Sequence, residues 1–431
     1  MASTDASIDS PITPAAGTAA IAARCAAAVP LPAARELTLG VIGTGRRGNG
    51  LLRALYKVPG MRVTALCDLD RSAIQRALDT IQTAGGAKPA VYSAGPEDYR
   101  NLLSRADVEG VLIATPNHLH AAMAVDSMRA GKKVLSEVPG AVTLEDCWRL
   151  VKTAEETKAF YMLAENVCYL RHCLMIREIV RKGLLGRLTY AECGYVHDTR
   201  RLQFNADGSL NWRAERAMLP GNRYPTHGIG PVAQCMDINR GDRFTSLVAL
   251  ASPSWGFTEH LAGRFGADSK PARTKFGGDT TVCLIQTALG RLIELRYDAL
   301  SPRPHPSTTY HNLQGSRGSY KNEEGQQTIW IEGRTKEFAW EPLERYAAEF
   351  ESPVWRQWGT TALTAGHSGG DFMTLLDFAD AVRGGRPSPI DAYDSAAWSA
   401  IIALSEASVR SGGHPQEFPD FTRGAWERRT N

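Results

Sequence analysis

The sequence predicts an α/β chain in two parts. A first domain carries a parallel sheet wound by helices on both faces; an α+β domain with a large, mainly antiparallel, open sheet follows. Three observations carry this reading. A strand-like run meets Gly43-Thr44-Gly45-Arg46-Arg47-Gly48 and passes straight into a helical pattern. Strand and helix periods then alternate to about residue 165. Beyond that point periods of two recur, with hairpin turns at "ALGR" and "QGSRGSY". A chain of 431 residues is too long for one ordinary core, and the pattern divides it into an arm (1–35), a first domain (36–165) and a second (166–431).

Each element of the first domain has a physical reason. Alternating apolar residues from Leu37 to Ile42 make a strand. Gly43 then permits a tight turn, Gly45 lets a pyrophosphate reach the backbone, Gly48 allows close helix packing, and the helix N-terminus attracts the anion. This is the Rossmann dinucleotide fingerprint. "RVTALCDLD" forms the next strand and ends at Asp68, 25 residues after Gly43, placed to accept from a ribose 2'-hydroxyl and so to favour NAD over NADP. Arg46 and Arg47 flank the same turn as candidate phosphate partners. Further strands are predicted over 111–114, 133–136 and 160–164, with helices over 120–130 and 144–158. Ligands bind at the carboxyl edge of such a sheet, so Thr115, Asn117, His118, His120, Glu137 and Asn166 are expected to border the cofactor, with helix capping the alternative for the two histidines.

Composition narrows the partners. At 43% hydrophobic and 22% charged residues, with no run near the roughly 20 apolar residues that span a bilayer, the chain reads as globular and without a membrane role. A net charge of +3, dispersed along the chain, offers no nucleic-acid footprint. The eight cysteines show no CxxC and no finger spacing, so neither zinc nor a disulfide framework is predicted and most read as reduced core residues. Residues 1–35, rich in Ala, Ser, Thr and Pro, read as a disordered leader, an arm on a partner subunit or an export-signal remnant. No clear signal peptide stands there, which leaves cytoplasm and periplasm both open.

In the second half, "RYPTHGIGPV" (223–232) is too rich in Gly and Pro for a long helix or a central strand. Yet it holds Tyr224, which can donate or relay a proton, and His227, of the residue type that titrates near neutrality. These two are the candidate catalytic pair; a satisfied loop histidine and a core tyrosine are the bland alternative. Tyr195 and His197, two apart on one strand, share a face and are candidate substrate contacts. Trp212 and Arg213 can stack on and hydrogen-bond a small ligand. His367 and Asp371 are weaker candidates, the latter as a helix N-cap. His197, Asp198 and His227 lack any metal-site spacing, so no metal is expected.

Two resemblances give these residues a context. The run "ATPNHLHAAMAVDSMRAGKKVLSEVPGAV" resembles the Gfo/Idh/MocA oxidoreductases, whose Rossmann domain precedes an open-sheet domain facing the nicotinamide. Most members carry Glu-Lys-Pro where this chain has Glu137-Val138-Pro139, and valine cannot hold a proton. "AENVCYLR", "CGYVHDTR", "NRYPTHGIGPVAQCMDINRGDRF", "GHSGGDF" and "DAYDSAAWSAI" resemble a narrower branch, the NAD-dependent α-N-acetylgalactosaminidases of glycoside hydrolase family 109, over about residues 37–410. That resemblance implies tightly held NAD, recycled at each turnover, and cleavage of a small-molecule glycoside of a hexose or N-acetylhexosamine without net oxidation. It implies too a homo-oligomer, dimer or tetramer, through the open sheet. The chain departs from the pattern at Arg223, where the wider family has an acid, and at His305, where a tyrosine is usual and a substrate contact is expected. The competing readings are an NAD-dependent sugar or polyol dehydrogenase and a catalytically silent NAD sensor.

Overall fold

The computed structural model describes residues 35–205, 207–304, 309–323 and 325–430. Of the expected N-terminal arm only Arg35 falls among them, and His305 lies outside.

The first sheet has six parallel strands in the order β3-β2-β1-β4-β5-β6. They are β1 (Leu37–Ile42), β2 (Met61–Cys67), β3 (Ala90–Tyr92), β4 (Gly110–Ile113), β5 (Lys133–Ser136) and β6 (Tyr161–Leu163). β4 and β6 are buried throughout, as strands covered by helices on both faces must be. The order reverses between β1 and β4, which opens the ligand crevice there. Helix α1 (Arg46–Leu55) starts at that crevice and buries Leu51, Leu52 and Leu55 against the sheet.

The second sheet has nine strands in the order β14-β13-β12-β11-β7-β10-β9-β8-β15. Its strands are β7 (Leu188–Val196), β8 (Phe244–Ala251), β9 (Thr280–Thr287), β10 (Leu292–Asp298), β11 (Thr309–Gly315), β12 (Gly318–Glu323), β13 (Gln326–Ile331), β14 (Glu341–Pro342) and β15 (Gln416–Glu417). Every pair is antiparallel except β7 with β10. Helices α2 (Arg171–Arg181), α3 (Thr226–Cys235), α4 (Gly370–Arg383) and α5 (Ala392–Arg410) complete the framework. The chain's end returns to its beginning: α4 packs on α1, and α5 packs on both β6 and β8. A single apolar cluster therefore runs from Leu37 on β1 to Trp398 on α5 and on to Phe421.

One expectation fails instructively. The run around His227 was expected to be irregular, but Thr226–Cys235 is a ten-residue helix with Pro231 inside it. Propensity is overridden by packing. A Cβ at Gly228 would lie 3.1 Å from the Gly194 backbone nitrogen and 2.7 Å from Leu295 Cδ1, and one at Gly230 would lie 3.0 Å from Cys168 Sγ. Only glycines let α3 press this closely on β7 and β10. Pro231 cannot donate to the carbonyl of His227, four residues back, and His311 Nε2 takes that carbonyl instead at 3.0 Å.

Candidate active site

The crevice side of the first domain is built as a dinucleotide cradle. Gly43 has φ +90, and a Cβ there would lie 2.7 Å from the Ala114 carbonyl, so the turn accepts no side chain. A Cβ at Gly48 would sit 2.0 Å from the Gly43 oxygen, which fixes α1 against the turn. At Gly45 nothing lies within 4 Å of the same position, and this residue caps α1 with no side-chain hydrogen bond, leaving first-turn amides available to an anion. Asp68 stands just past β2, where its Oδ2 accepts from Thr44 N at 2.6 Å and its Oδ1 from Asp70 N at 2.9 Å. The buried Asn117 Oδ1 and Asn166 Oδ1 have no protein partner among the described residues, as acceptors awaiting a ligand's donors or water would. These features fit a bound dinucleotide.

Facing the cradle is an aromatic and imidazole cluster. Tyr224 and His227 have ring centroids 4.9 Å apart at 90°, and Tyr195 lies 5.1 Å from Tyr224 and 5.4 Å from His227. His197 joins Tyr195 edge-on at 5.8 Å, on the same side of the strand end. The segment holding Tyr224 is pinned from behind. Asn222 is fully buried, donates its N–H to the Ser405 hydroxyl oxygen of α5 at 2.8 Å, and turns its Oδ1 to accept from Tyr224 N at 3.1 Å. Arg223 is equally committed, donating to the Leu219 carbonyl at 2.8 Å and lying 5.0 Å from the centre of the Tyr297 ring. At the mouth, His118 from the first domain meets Trp212 from the second, 6.3 Å between ring centres, with the Arg213 guanidinium 4.2 Å over the same indole.

A carboxylate that sequence reasoning missed completes the cluster. Glu165, fully buried just past β6, accepts from His227 Nδ1 at 2.7 Å through Oε1. Val167 N donates to that same oxygen at 3.1 Å. The bond fixes the tautomer of His227: with the proton on Nδ1, Nε2 carries the lone pair. Burial, reinforced by Glu137, Tyr195 and Glu165, pushes the Tyr224 phenol well above its ordinary value, with Arg47 opposing. Tyr195 shifts in the same direction, burial again the main cause. Both tyrosines are therefore neutral donors at neutral pH, and the His227 ring, held at Nδ1 by Glu165, stands beside them.

Comparison with known proteins places this arrangement. Residues 169–428 match the model for the glycosyl hydrolase 109 C-terminal domain, and residues 37–165 match the oxidoreductase family NAD-binding Rossmann fold. The chain belongs to glycosyl hydrolase family 109. It is 41% identical over 403 residues to a glycosyl hydrolase family 109 protein of Shewanella sp. strain ANA-3, covering 92% of this chain and 88% of that one. It is 35% identical to the alpha-N-acetylgalactosaminidase of Tannerella forsythia, covering 90% and 87%. Levoglucosan dehydrogenase solved with NADH and levoglucosan superposes with a TM-score of 0.70 over 90% of this chain and 100% of that one; at 18% identity the likeness is one of fold. As a family 109 enzyme the protein is a glycosidase that uses NAD.

Other expected site residues turn out to be wired into the protein. Arg47 is a correction: its guanidinium goes to Glu137 Oε1 at 2.6 Å and to both Asp371 oxygens at 2.7 and 2.8 Å, so its donors are taken up within the protein. Asn166 Nδ2 and His367 Nδ1 contact Asp371 as well, at 2.7 and 2.8 Å. Asp371 is thus no N-cap, a place held by Gly369; it is the hub of a charge cluster. Burial opposes its ionisation, but the His367 bond and Arg47 hold its carboxyl well below the usual range. His120 is the second correction. It is buried, with its ring nitrogens 2.8 Å from the Pro139 and Thr115 carbonyls, so it clamps the two crevice loops together and leaves no nitrogen for a ligand. Glu165 was detectable in principle, since it follows a parallel strand as Thr115 and Glu137 do. Its partner His227 lies too far along the chain for spacing to reveal the pair.

Proposed function

We propose that this family 109 enzyme removes terminal N-acetylhexosamine or hexose residues, α-N-acetylgalactosaminides first among them, by transient oxidation at C3 of the sugar. The observation that carries this reading is the His227–Glu165 pair beside the neutral Tyr224, in a crevice where the usual lysine is the buried Val138. When bound, NAD would supply reversible hydride acceptance at C3 of the sugar, chemistry that leaves no net oxidation.

The protein's own groups account for the protons. His227 Nε2 takes the proton of the C3 hydroxyl, and the resulting imidazolium is stabilised by Glu165. Tyr224 hydrogen-bonds the same oxygen and favours the ketone, whose electron withdrawal makes the C2 hydrogen acidic. Loss of that proton expels the aglycone from C1, the proton leaving with it as the alcohol; water adds across C1 and C2, and His227 gives its proton back to the C3 oxygen as the ketone is reduced. The sum is hydrolysis: glycoside plus water gives free sugar plus alcohol. Asn117, Asn166 and the amides at Gly45 bind the cofactor, with Asp68 on its ribose. Tyr195, His197, Trp212 and Arg213 line the sugar side, and His305 is retained as a substrate contact. A second copy of the chain covers the outer face of the large sheet, where Leu250, Leu284 and Leu292 are 63, 44 and 41% exposed on adjacent strands. Light scattering of the purified protein checks that assembly.

The decisive measurement is release of aglycone from aryl 2-acetamido-2-deoxy-α-galactosides bearing hydrogen or deuterium at C2 and at C3. The expected result is aglycone release slowed by deuterium, with no build-up of reduced nicotinamide. Stoichiometric reduced nicotinamide without aglycone release would make the protein a sugar dehydrogenase instead.

A further inference from the structure

Behind the catalytic cluster the fold gathers three metal-ligating side chains that the proposed chemistry does not use. His172 and Cys173 lie in the first turn of α2, and His311 lies on β11. One ligating atom from each falls within 4.8 Å of the other two. His311 is 3% exposed; its Nε2 is taken by the His227 carbonyl at 3.0 Å, which leaves Nδ1 as a lone pair, and that buried atom has no hydrogen-bond partner among the described residues. A protein rarely buries such an acceptor unmatched. His172 Nε2 has only a 3.2 Å contact with the Asn322 amide nitrogen. That same pair lines a cavity of about 660 Å³, together with Thr309, Arg171 and Trp355, so an ion has a route in and room for a water ligand.

The geometry points to a binding site for a zinc-class divalent cation, held by His172, Cys173 and His311 with water from the cavity as fourth ligand. One sulfur and two imidazoles suit a borderline-soft ion and not magnesium or calcium, which take oxygen. Closing to metal–nitrogen distances of about 2.0 Å and a metal–sulfur distance of about 2.3 Å asks the three side chains to draw in by roughly 1 Å. Binding expels the Cys173 thiol proton: Cys–SH plus the dication gives the thiolate complex plus one proton. Affinity therefore rises with pH. The site stands one hydrogen bond from the catalytic histidine's carbonyl, the acceptor that Pro231 leaves open. No spacing rule finds it, because β11 comes from a distant part of the chain.

Cobalt(II) titration of the tag-free, metal-stripped, full-length protein tests this. The expected result is a thiolate-to-cobalt charge-transfer band with four-coordinate visible bands, saturating near one equivalent, displaced by zinc and weakened as pH falls. Cys173→Ser abolishes the charge-transfer band, and His172→Gln and His311→Gln weaken binding at least about tenfold. Cys147→Ser, in the first domain, leaves it unchanged. Absence of the band in the wild type overturns the site, as does its persistence in Cys173→Ser. If Cys173→Ser fails to fold by circular dichroism, the half-buried His172→Gln decides: unaltered cobalt affinity there overturns the proposal.

Discussion

Two glycine-rich segments open helices on opposite walls of the crevice, and they differ in where their reasons lie. In residues 43–48 the glycines answer mostly to one another and to the next strand: Gly48 packs on Gly43, and Gly43 on Ala114. In residues 224–231 they answer to distant elements, with Gly228 against β7 and β10, Gly230 against Cys168, and the carbonyl exposed by Pro231 against His311 on β11. The first segment is a motif and can be recognised in isolation. The second is a fit between surfaces, and its meaning exists only in the folded chain.

The largest effect that sharpens this contrast falls on the second segment. His227→Ala should lower kcat by about 10³-fold while NAD still binds, since the cradle is on the other wall; steady-state rates beside a cofactor titration measure both. Next comes the tether of the first segment. Asp371→Asn leaves half-buried Arg47 without one of its two counter-charges and should cost about 3 kcal/mol at neutral pH. Because the folded Asp371 is held below its ordinary range, its stabilisation is present in full above the unfolded value near 4 and fades as pH falls through the folded one. Melting temperatures of wild type and variant should therefore converge in acid.

A smaller effect separates the glycines of the cradle. Gly48→Ala drives a methyl to 2.0 Å from an oxygen and should cost about 2 kcal/mol, whereas Gly45→Ala meets no protein atom and should leave stability within about 0.5 kcal/mol while weakening NAD binding. Equal losses of stability would break the distinction between packing glycine and ligand glycine. Smallest is a coupling. Pro231→Ala restores a helix donor to the His227 carbonyl, so His311→Gln should cost about 1 kcal/mol less in that background; a chemical-denaturation cycle reads the difference.

Legibility in the sequence followed the same division. β1 and β5 stand where their periods place them, as does the helix beginning at His120, because local patterning determines such elements. The proximity of Tyr195 to His197 followed from strand alternation, and the cradle from its glycines. What stayed hidden depends on pairing across the chain: Glu165 under His227, His120 between two carbonyls, and Arg47 between Glu137 and Asp371. The helical state of α3 was hidden for a related reason. Residue propensities describe an isolated segment, and this one is stabilised by the sheet beneath it.

The Arg47 cluster bears on how quickly cofactor can leave. The first turn of α1, whose amides face the dinucleotide, is bolted through Arg47 to Glu137 on the neighbouring loop and to Asp371 on the penultimate long helix. Lifting that turn alone breaks a largely buried ion pair, at about 3–5 kcal/mol, equivalent to a slowing of roughly 10²–10⁴-fold in any escape that requires it. An enzyme that returns its borrowed electrons before product leaves needs no exchange between turnovers, and such a latch slows that exchange without slowing the chemistry.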